Sequence, residues 1–198
     1  MTISYDNIQQ NNKNKSQIII TEVIMNNKSF KNQVGATLLE LVMSIGIIAV
    51  IAIAAISFFN TANDANKVND EVKNLNTLSA AVRNMFNSQG DYAGLTNAVI
   101  IKSGAFPDRM RVPSSATLIK HSWLNDGVVV APATVNGTTN DGFTVTYKDV
   151  PERACSDIAT KTFRFYDKVV VGSTTITGSA SATTACSTAA NDMVFTAR

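Results

Sequence analysis

The chain has 198 residues, of which 45% are hydrophobic and 16% are charged, and its formal net charge is +2. This length suits about one domain with an anchoring segment. The chain has 17 basic and 15 acidic residues, and residues 1–35 hold four of the basic and two of the acidic ones. Residues 36–198 therefore hold 13 basic and 13 acidic residues. That balance excludes a broad basic surface for nucleic acid in residues 36–198.

Residues 1–35 are polar and rich in Asn, Lys and Gln. Their apolar patch at residues 18–20 is too short for the apolar region of an ordinary secretory signal. We therefore predict a leader without structure of its own, and Met25 is an alternative start. Because Lys and Arg accumulate on the cytoplasmic side of a membrane helix, the excess of lysine predicts an internal N-terminus and an exported C-terminal domain.

An apolar segment follows, in which residues 41–59 contain no charged residue and no proline. About 20 such residues suffice for a helix to span a bilayer. Glu40 precedes the segment directly, five residues after Gly35, and a carboxylate at this place is costly without a partner. Cleavage after Gly35 would give Ala36 a free amine one helical turn from Glu40. The alternative is an unpaired Glu40 at the level of the lipid headgroups.

The helical pattern continues beyond the apolar segment but becomes amphipathic, which predicts a helix over residues 36–89. We divide it into an apolar part (residues 36–60) and an amphipathic part (residues 61–90). Steps of three and four residues form the apolar stripe: Ala65, Val68, Val72, Leu75, Leu78, Val82, Met85 and Phe86. The other faces are predicted to carry the charged side chains of Asp64, Lys67, Asp70, Glu71 and Lys73.

Residues 91–198 are predicted to form an α+β head with an antiparallel sheet packed on the long helix. A short helix is expected at residues 95–103, before a region interrupted by Gly104, Pro107 and Pro113. The segment 127–131 and the alternating segment 143–147 predict a hairpin, and residues 151–159 predict a short helix. Further strands are predicted at 163–171 and 192–196, with a Ser/Thr/Ala/Gly-rich loop at 172–190 between them.

The head carries two cysteines, Cys155 and Cys186, for which a disulfide is the default in an exported domain; two unpaired buried thiols are the alternative. The one histidine, His121, is predicted to be a solvated loop residue. Residues 108–111 are predicted to form a solvated basic cluster. No pattern such as G-x-S-x-G or H-E-x-x-H is present. We therefore expect no enzyme, cofactor, metal or specific nucleic-acid partner.

The run G-A-T-L-L-E at residues 35–40, followed by an uncharged helix, resembles the class III signal of type IV prepilins. The resemblance implies cleavage between Gly35 and Ala36 by a prepilin peptidase, usually followed by N-methylation. It also implies that Glu40, as the fifth mature residue, guides docking and pairs with the N-terminal amine of a neighbouring subunit. The family fold is an extended helix against a sheet-bearing head, with a C-terminal disulfide bounding a variable loop.

Several details resemble the type IVb branch of this family. The leader is long, Ala36 stands at the first mature position, and the apolar helix has no proline. Residues 92–95, 106–108 and 123–128 also look like type IVb segments. The short helix around Cys155 is similar to that of conjugative thin-pilus pilins and their enterobacterial relatives.

The resemblance implies a major subunit of a type IVb pilus, which forms a helical homo-oligomer for adhesion, aggregation or conjugation. Expected partners are the peptidase, the inner-membrane assembly machinery, minor pilins, and a host or recipient cell surface. The precursor is expected in the inner membrane and the filament outside the cell. Two alternatives are a minor pilin or type II secretion pseudopilin, and a single-pass membrane-anchored binding domain that does not polymerise.

Overall fold

The computed structural model describes residues 37–198. The predicted leader, Gly35 and Ala36 therefore lie outside the described residues. The chain divides into two compact units, one ending at Ile56 and one spanning Ser57–Arg198. The described elements begin with helix α1 (Leu38–Phe86), which confirms the predicted long helix within three residues at either end.

Within the first unit, α1 exposes its apolar side chains. The large hydrophobic residues from Leu38 to Ile56 are between 56% and 82% exposed. This part of the helix is long and apolar enough to span a membrane by length and composition, and the predicted amphipathic character begins only beyond it.

Within the second unit, one face of α1 is buried in the hydrophobic core. Five members of the predicted stripe lie there: Val68, Leu75, Leu78, Val82 and Phe86. Ala65 is instead exposed, while Val72 and Met85 are partly buried. The prediction is wrong for Glu71, which is only 2% exposed because its carboxylate accepts hydrogen bonds from Ser122 and from the buried Tyr147.

Helix α2 (Asn97–Ser103) and a single 3-10 turn (Asp108–Met110) follow α1. Thr96 caps α2 by accepting a hydrogen bond from the Val99 N–H, and Gly104 ends it at a φ of 65°, a left-handed conformation that favours glycine. The predicted short helix is thus confirmed, with a start two residues later. In the predicted solvated cluster, Arg109 is exposed but Met110 is fully buried.

Five strands form one sheet: β1 (Val128–Ala133), β2 (Gly142–Val150), β3 (Lys168–Val171), β4 (Thr174–Thr175) and β5 (Asn191–Ala197). Their order is β1-β2-β5-β3-β4, and all neighbouring pairs are antiparallel. The predicted hairpin is confirmed, with Val130 opposite Val145. Alternate residues of β2 and β5, such as Val145 and Phe195, point into the core.

The two edges of the sheet differ. The β4 edge is only two residues long. On the β1 edge, the Asn97 side chain donates to the Val128 carbonyl and accepts from the Val130 N–H, both at 2.8 Å. Ile119 adds a bridge to Val128 on the same side.

Helix α3 (Glu152–Thr162) lies between β2 and β3, and it extends the predicted helix by three residues. The strand predicted from residue 163 accordingly begins only at Lys168. The prediction of a loop over 172–190 is wrong in part, since the segment holds β4 and helix α4 (Ser179–Ala185). The Ser181 hydroxyl accepts hydrogen bonds from the N–H groups of Thr177 and Gly178, which satisfies donors at the start of α4.

Candidate assembly site

Glu40 lies in the first turn of α1. The Thr37 hydroxyl accepts a hydrogen bond from the Glu40 N–H at 3.3 Å, and the Thr37 carbonyl accepts one from the Leu41 N–H. Thr37 thus caps the helix and Glu40 occupies its third position, the T-x-x-E spacing of a capping box. A carboxylate near a helix N-terminus is also favoured by the helix dipole. This spacing is visible in the sequence, although our prediction for Glu40 did not include a capping role.

The exposed apolar side chains on both sides of Glu40 form a second component of the site, which we call the apolar surface (residues 38–56). Soluble monomers rarely expose a continuous apolar area of this kind, so it marks a membrane or protein contact. The predicted pairing of Glu40 with the amine of Ala36 stays a prediction because Ala36 lies outside the described residues.

Glu71 forms a buried polar cluster with the loop that precedes β1. Its Oε1 atom accepts hydrogen bonds from the Ser122 N–H at 2.9 Å and the Ser122 hydroxyl at 2.6 Å. The Tyr147 hydroxyl donates to Oε2 at 3.5 Å. Burial and the nearby Glu71 charge raise the pKa of Tyr147, which keeps its hydroxyl a neutral donor. The cluster fixes this loop against α1.

His121 corrects our prediction of a solvated loop residue, since it is 5% exposed. Its ring is stacked on Tyr147 at 5.3 Å between centroids. Nδ1 accepts from the N–H groups of Trp123 and Leu124, so the proton resides on Nε2, which donates to the Lys148 carbonyl at 2.8 Å. Burial lowers the pKa of His121, partly offset by the Lys148 hydrogen bond and the charges of Glu71 and Asp149.

The predicted disulfide is confirmed. Cys155 and Cys186 are bonded with their Cα atoms 5.8 Å apart, and both residues are buried. Cys155 lies on α3 and Cys186 directly follows α4, so the bond joins these two helices. Closing a loop with a sequence separation of 31 residues stabilises the fold by about 3–4 kcal/mol in the chain-entropy model. The pair belongs to the second unit and Glu40 to the first.

The long N-terminal helix, the antiparallel sheet and the C-terminal disulfide define a type IV pilin fold. A family model described as "PilS N terminal" matches residues 65–198. The chain belongs to this family. The resemblance to type IVb pilins derived from the sequence is thereby confirmed.

The solved structures that are similar to the chain include three of type IV pilins. The crystal structure of a type IVb pilin from Salmonella typhi is 28% identical with a TM-score of 0.52, over 64% of this chain and 97% of that chain. The NMR structure of the type IVb pilin PilS from Salmonella typhi is 27% identical with a TM-score of 0.44, and the match covers 65% of this chain and 94% of that chain. The type IV pilin TcpA from Vibrio cholerae El Tor is 14% identical with a TM-score of 0.49, and the match covers 67% of this chain and 99% of that chain. Comparison with curated proteins gave no match.

Proposed function

We propose that this chain is the structural, non-catalytic major subunit of a type IVb pilus, which polymerises through its N-terminal helix. The observation that carries the proposal is the apolar surface, whose large side chains are at least 56% exposed and surround a carboxylate in the first helical turn. Lipid can cover this surface before assembly, and helices of other copies can cover it afterwards. Membership of the PilS family and likeness to a type IVb pilin support the same role.

The proposal includes processing after Gly35. A prepilin peptidase would release residues 1–35 and leave Ala36 with a free amine. Apolar side chains gain little on moving from lipid to a bundle of similar helices, so hydrophobicity alone does not fix the alignment of neighbours. The pairing of Glu40 with the amine of a neighbouring copy supplies that alignment, since an isolated charge among apolar helices is costly.

The proposed location follows from these steps. The precursor resides in the inner membrane with residues 1–35 inside, and the mature subunit leaves it for an extracellular filament. Assembly machinery, minor pilins and a surface of a host or recipient cell are the proposed partners. Adhesion, aggregation and conjugative contact are the roles that such a filament would serve.

The test compares three full-length variants in cells that supply a prepilin peptidase and type IVb assembly machinery. Glu40→Ala and Glu40→Gln should abolish sheared surface filaments while leaving the chain in the membrane. Thr37→Ala is the matched control, since it removes the cap, worth about 1 kcal/mol, but retains the carboxylate; filaments should persist. N-terminal sequencing of the mature subunit should begin at Ala36.

Filaments at normal yield from Glu40→Gln would contradict the role of the charge. A chain that stays in the membrane and never forms filaments would favour a membrane-anchored binding domain. A chain present in filaments only in trace amounts would favour a minor pilin or a pseudopilin.

A further inference from the structure

Phe165 is the one large hydrophobic residue with a strongly exposed side chain between residue 60 and Arg198, at 72% exposure. It lies in the turn between α3 and β3, and its N–H donates to the Thr162 carbonyl at 2.9 Å. The next residue, Tyr166, is buried and hydrogen-bonds Ser79 and Asn76 of α1. The aromatic ring at position 165 is therefore presented to solvent by a turn anchored on both sides.

A cavity of about 330 Å³ lies elsewhere in the same unit. An engineered apolar cavity of about 150 Å³ binds benzene, so this one has room for a phenyl ring. Half of the lining residues are apolar: Val68, Ala65, Trp123, Pro151 and Ala154. Thr61, Asp64 and Lys67 of α1 supply polar parts of the wall. Asp157 and Arg153, one turn apart on α3, also line it.

One charge beside Phe165 is complementary to one charge beside the cavity. Arg164 and Asp167 flank the exposed ring, and Asp167 pairs with Arg198 at 3.3 Å. At the cavity, Asp64 pairs with Lys67 at 3.5 Å, and Asp157 and Arg153 lie beside this pair. Within residues 37–198, the Arg164 guanidinium lies over the Phe163 ring and forms no ion pair, and Asp157 and Arg153 form none either. The unpaired Arg164 of one copy can therefore meet the unpaired Asp157 of another.

The ring and the cavity lie at different heights along α1. Tyr166 contacts Asn76 and Ser79, whereas the cavity is lined by residues from Thr61 to Val68. About twelve residues of helix separate the two levels, or about 18 Å at 1.5 Å per residue. A contact between two different patches is heterologous, and its repetition generates an open helical array unless it closes into a ring.

We propose that Phe165 of one copy occupies this cavity of the next copy in the filament, with Arg164 facing Asp157. The contact rests on the proposed function and adds to it a site between heads, separate from the apolar surface. It gives each subunit a defined axial neighbour.

A charge exchange in the full chain tests the contact. Arg164→Asp and Asp157→Arg should each lower the yield of sheared filaments by about fivefold, the scale of an exposed ion pair, and the double variant should restore it. Lys168→Glu is the matched control, since it reverses an exposed charge near the turn outside the contact and should leave the yield unchanged. Thermal unfolding and the intact disulfide verify that each variant folds.

Two outcomes would overturn the contact while the proposed function stands: native yields for both single variants, or a double variant no better than the worse single one. A second measurement places p-benzoylphenylalanine at position 165 of purified filaments. The cross-link should map to residues 61–68, 123 or 151–157 of another copy, and a cross-link elsewhere contradicts the contact. Absence of filaments from the native chain would overturn the proposed function itself.

Discussion

The Oε1 atom of Glu71 accepts two hydrogen bonds from Ser122, one from its backbone N–H at 2.9 Å and one from its hydroxyl at 2.6 Å. A carboxylate on α1 thereby holds part-buried donors of the loop that precedes β1. The same carboxylate receives the Tyr147 hydroxyl from β2. Helix, loop and sheet are thus joined at one side chain.

Glu71→Ala should destabilise the head by about 2–3 kcal/mol, since it leaves the buried Tyr147 hydroxyl and the part-buried Ser122 N–H without an acceptor. Glu71→Gln retains one acceptor oxygen and should lose less. Asp70→Ala is the control on the adjacent position, where the carboxylate forms a surface pair with Arg109 at 2.9 Å worth at most about 1 kcal/mol. Thermal unfolding in detergent would measure all three, and an equal loss for Glu71→Ala and Asp70→Ala would contradict the burial argument.

His121 should make stability depend on pH. Because burial lowers its pKa below the ordinary 6.5, the unfolded chain binds more protons than the folded chain in the range between the two pKa values. Stability is therefore complete above pH 6.5 and falls as pH decreases through that range, by up to about 1.4 kcal/mol per pH unit. Melting temperatures from pH 8 to pH 5 would show this slope.

His121→Asn keeps an acceptor for the N–H groups of Trp123 and Leu124 but cannot titrate, so it should flatten the slope. Asp141→Asn is the control. The hydrogen bonds from the N–H groups of Val135 and Asn136 lower the pKa of Asp141 below 3.8. The stability that its ionised carboxylate contributes is therefore lost only in more acid solution. A slope unchanged in His121→Asn would assign the pH dependence to another group.

Gly127 faces the His121 ring closely. A Cβ atom at position 127 would overlap Nε2 and Cδ2 of that ring. Gly127→Ala should therefore destabilise the head by about 1–3 kcal/mol, as overpacking does, and should shift the aromatic chemical shifts of Tyr147. At Gly178 nothing lies within 4 Å of the position that a Cβ atom would take, so Gly178→Ala should be close to neutral in the same unfolding measurement.

Cys155→Ala together with Cys186→Ala should lower stability by about 3–4 kcal/mol, because the unfolded chain regains loop freedom. A reductant should lower the melting temperature of the native chain towards that of the double variant, and it should not affect the double variant. A native chain that is insensitive to complete reduction would show that the bond adds little to stability.

The periodicity of α1 predicted its buried face well, since Val68, Leu75, Leu78 and Val82 recur at helical spacing. Glu71 has the same spacing, three residues after Val68 and four before Leu75, yet its charge assigned it to the surface. Only Ser122 and Tyr147, 51 and 76 residues away, explain its burial. His121 likewise depends on Tyr147 and Lys148, which sequence spacing alone does not bring together.

Helix α4 was not predicted for another reason. Its residues are Ser, Ala and Thr, which form no apolar stripe that periodicity could detect. The helix is packed on the protein by Ala182 and by the adjacent disulfide to α3. Its existence depends on tertiary contacts more than on local preference.

The hydrogen bonds of Asn97 along β1 govern how this head behaves when it is crowded. A sheet edge with free N–H and C=O groups recruits further strands, and such recruitment leads to amyloid. Asn97 occupies the Val128 carbonyl and the Val130 N–H, and Pro132 on the same strand has no N–H to offer. In the proposed filament, where heads would lie side by side at very high local concentration, this protection would prevent strand pairing between neighbouring backbones. Contacts between heads would then depend on side chains, which can be changed without loss of the fold.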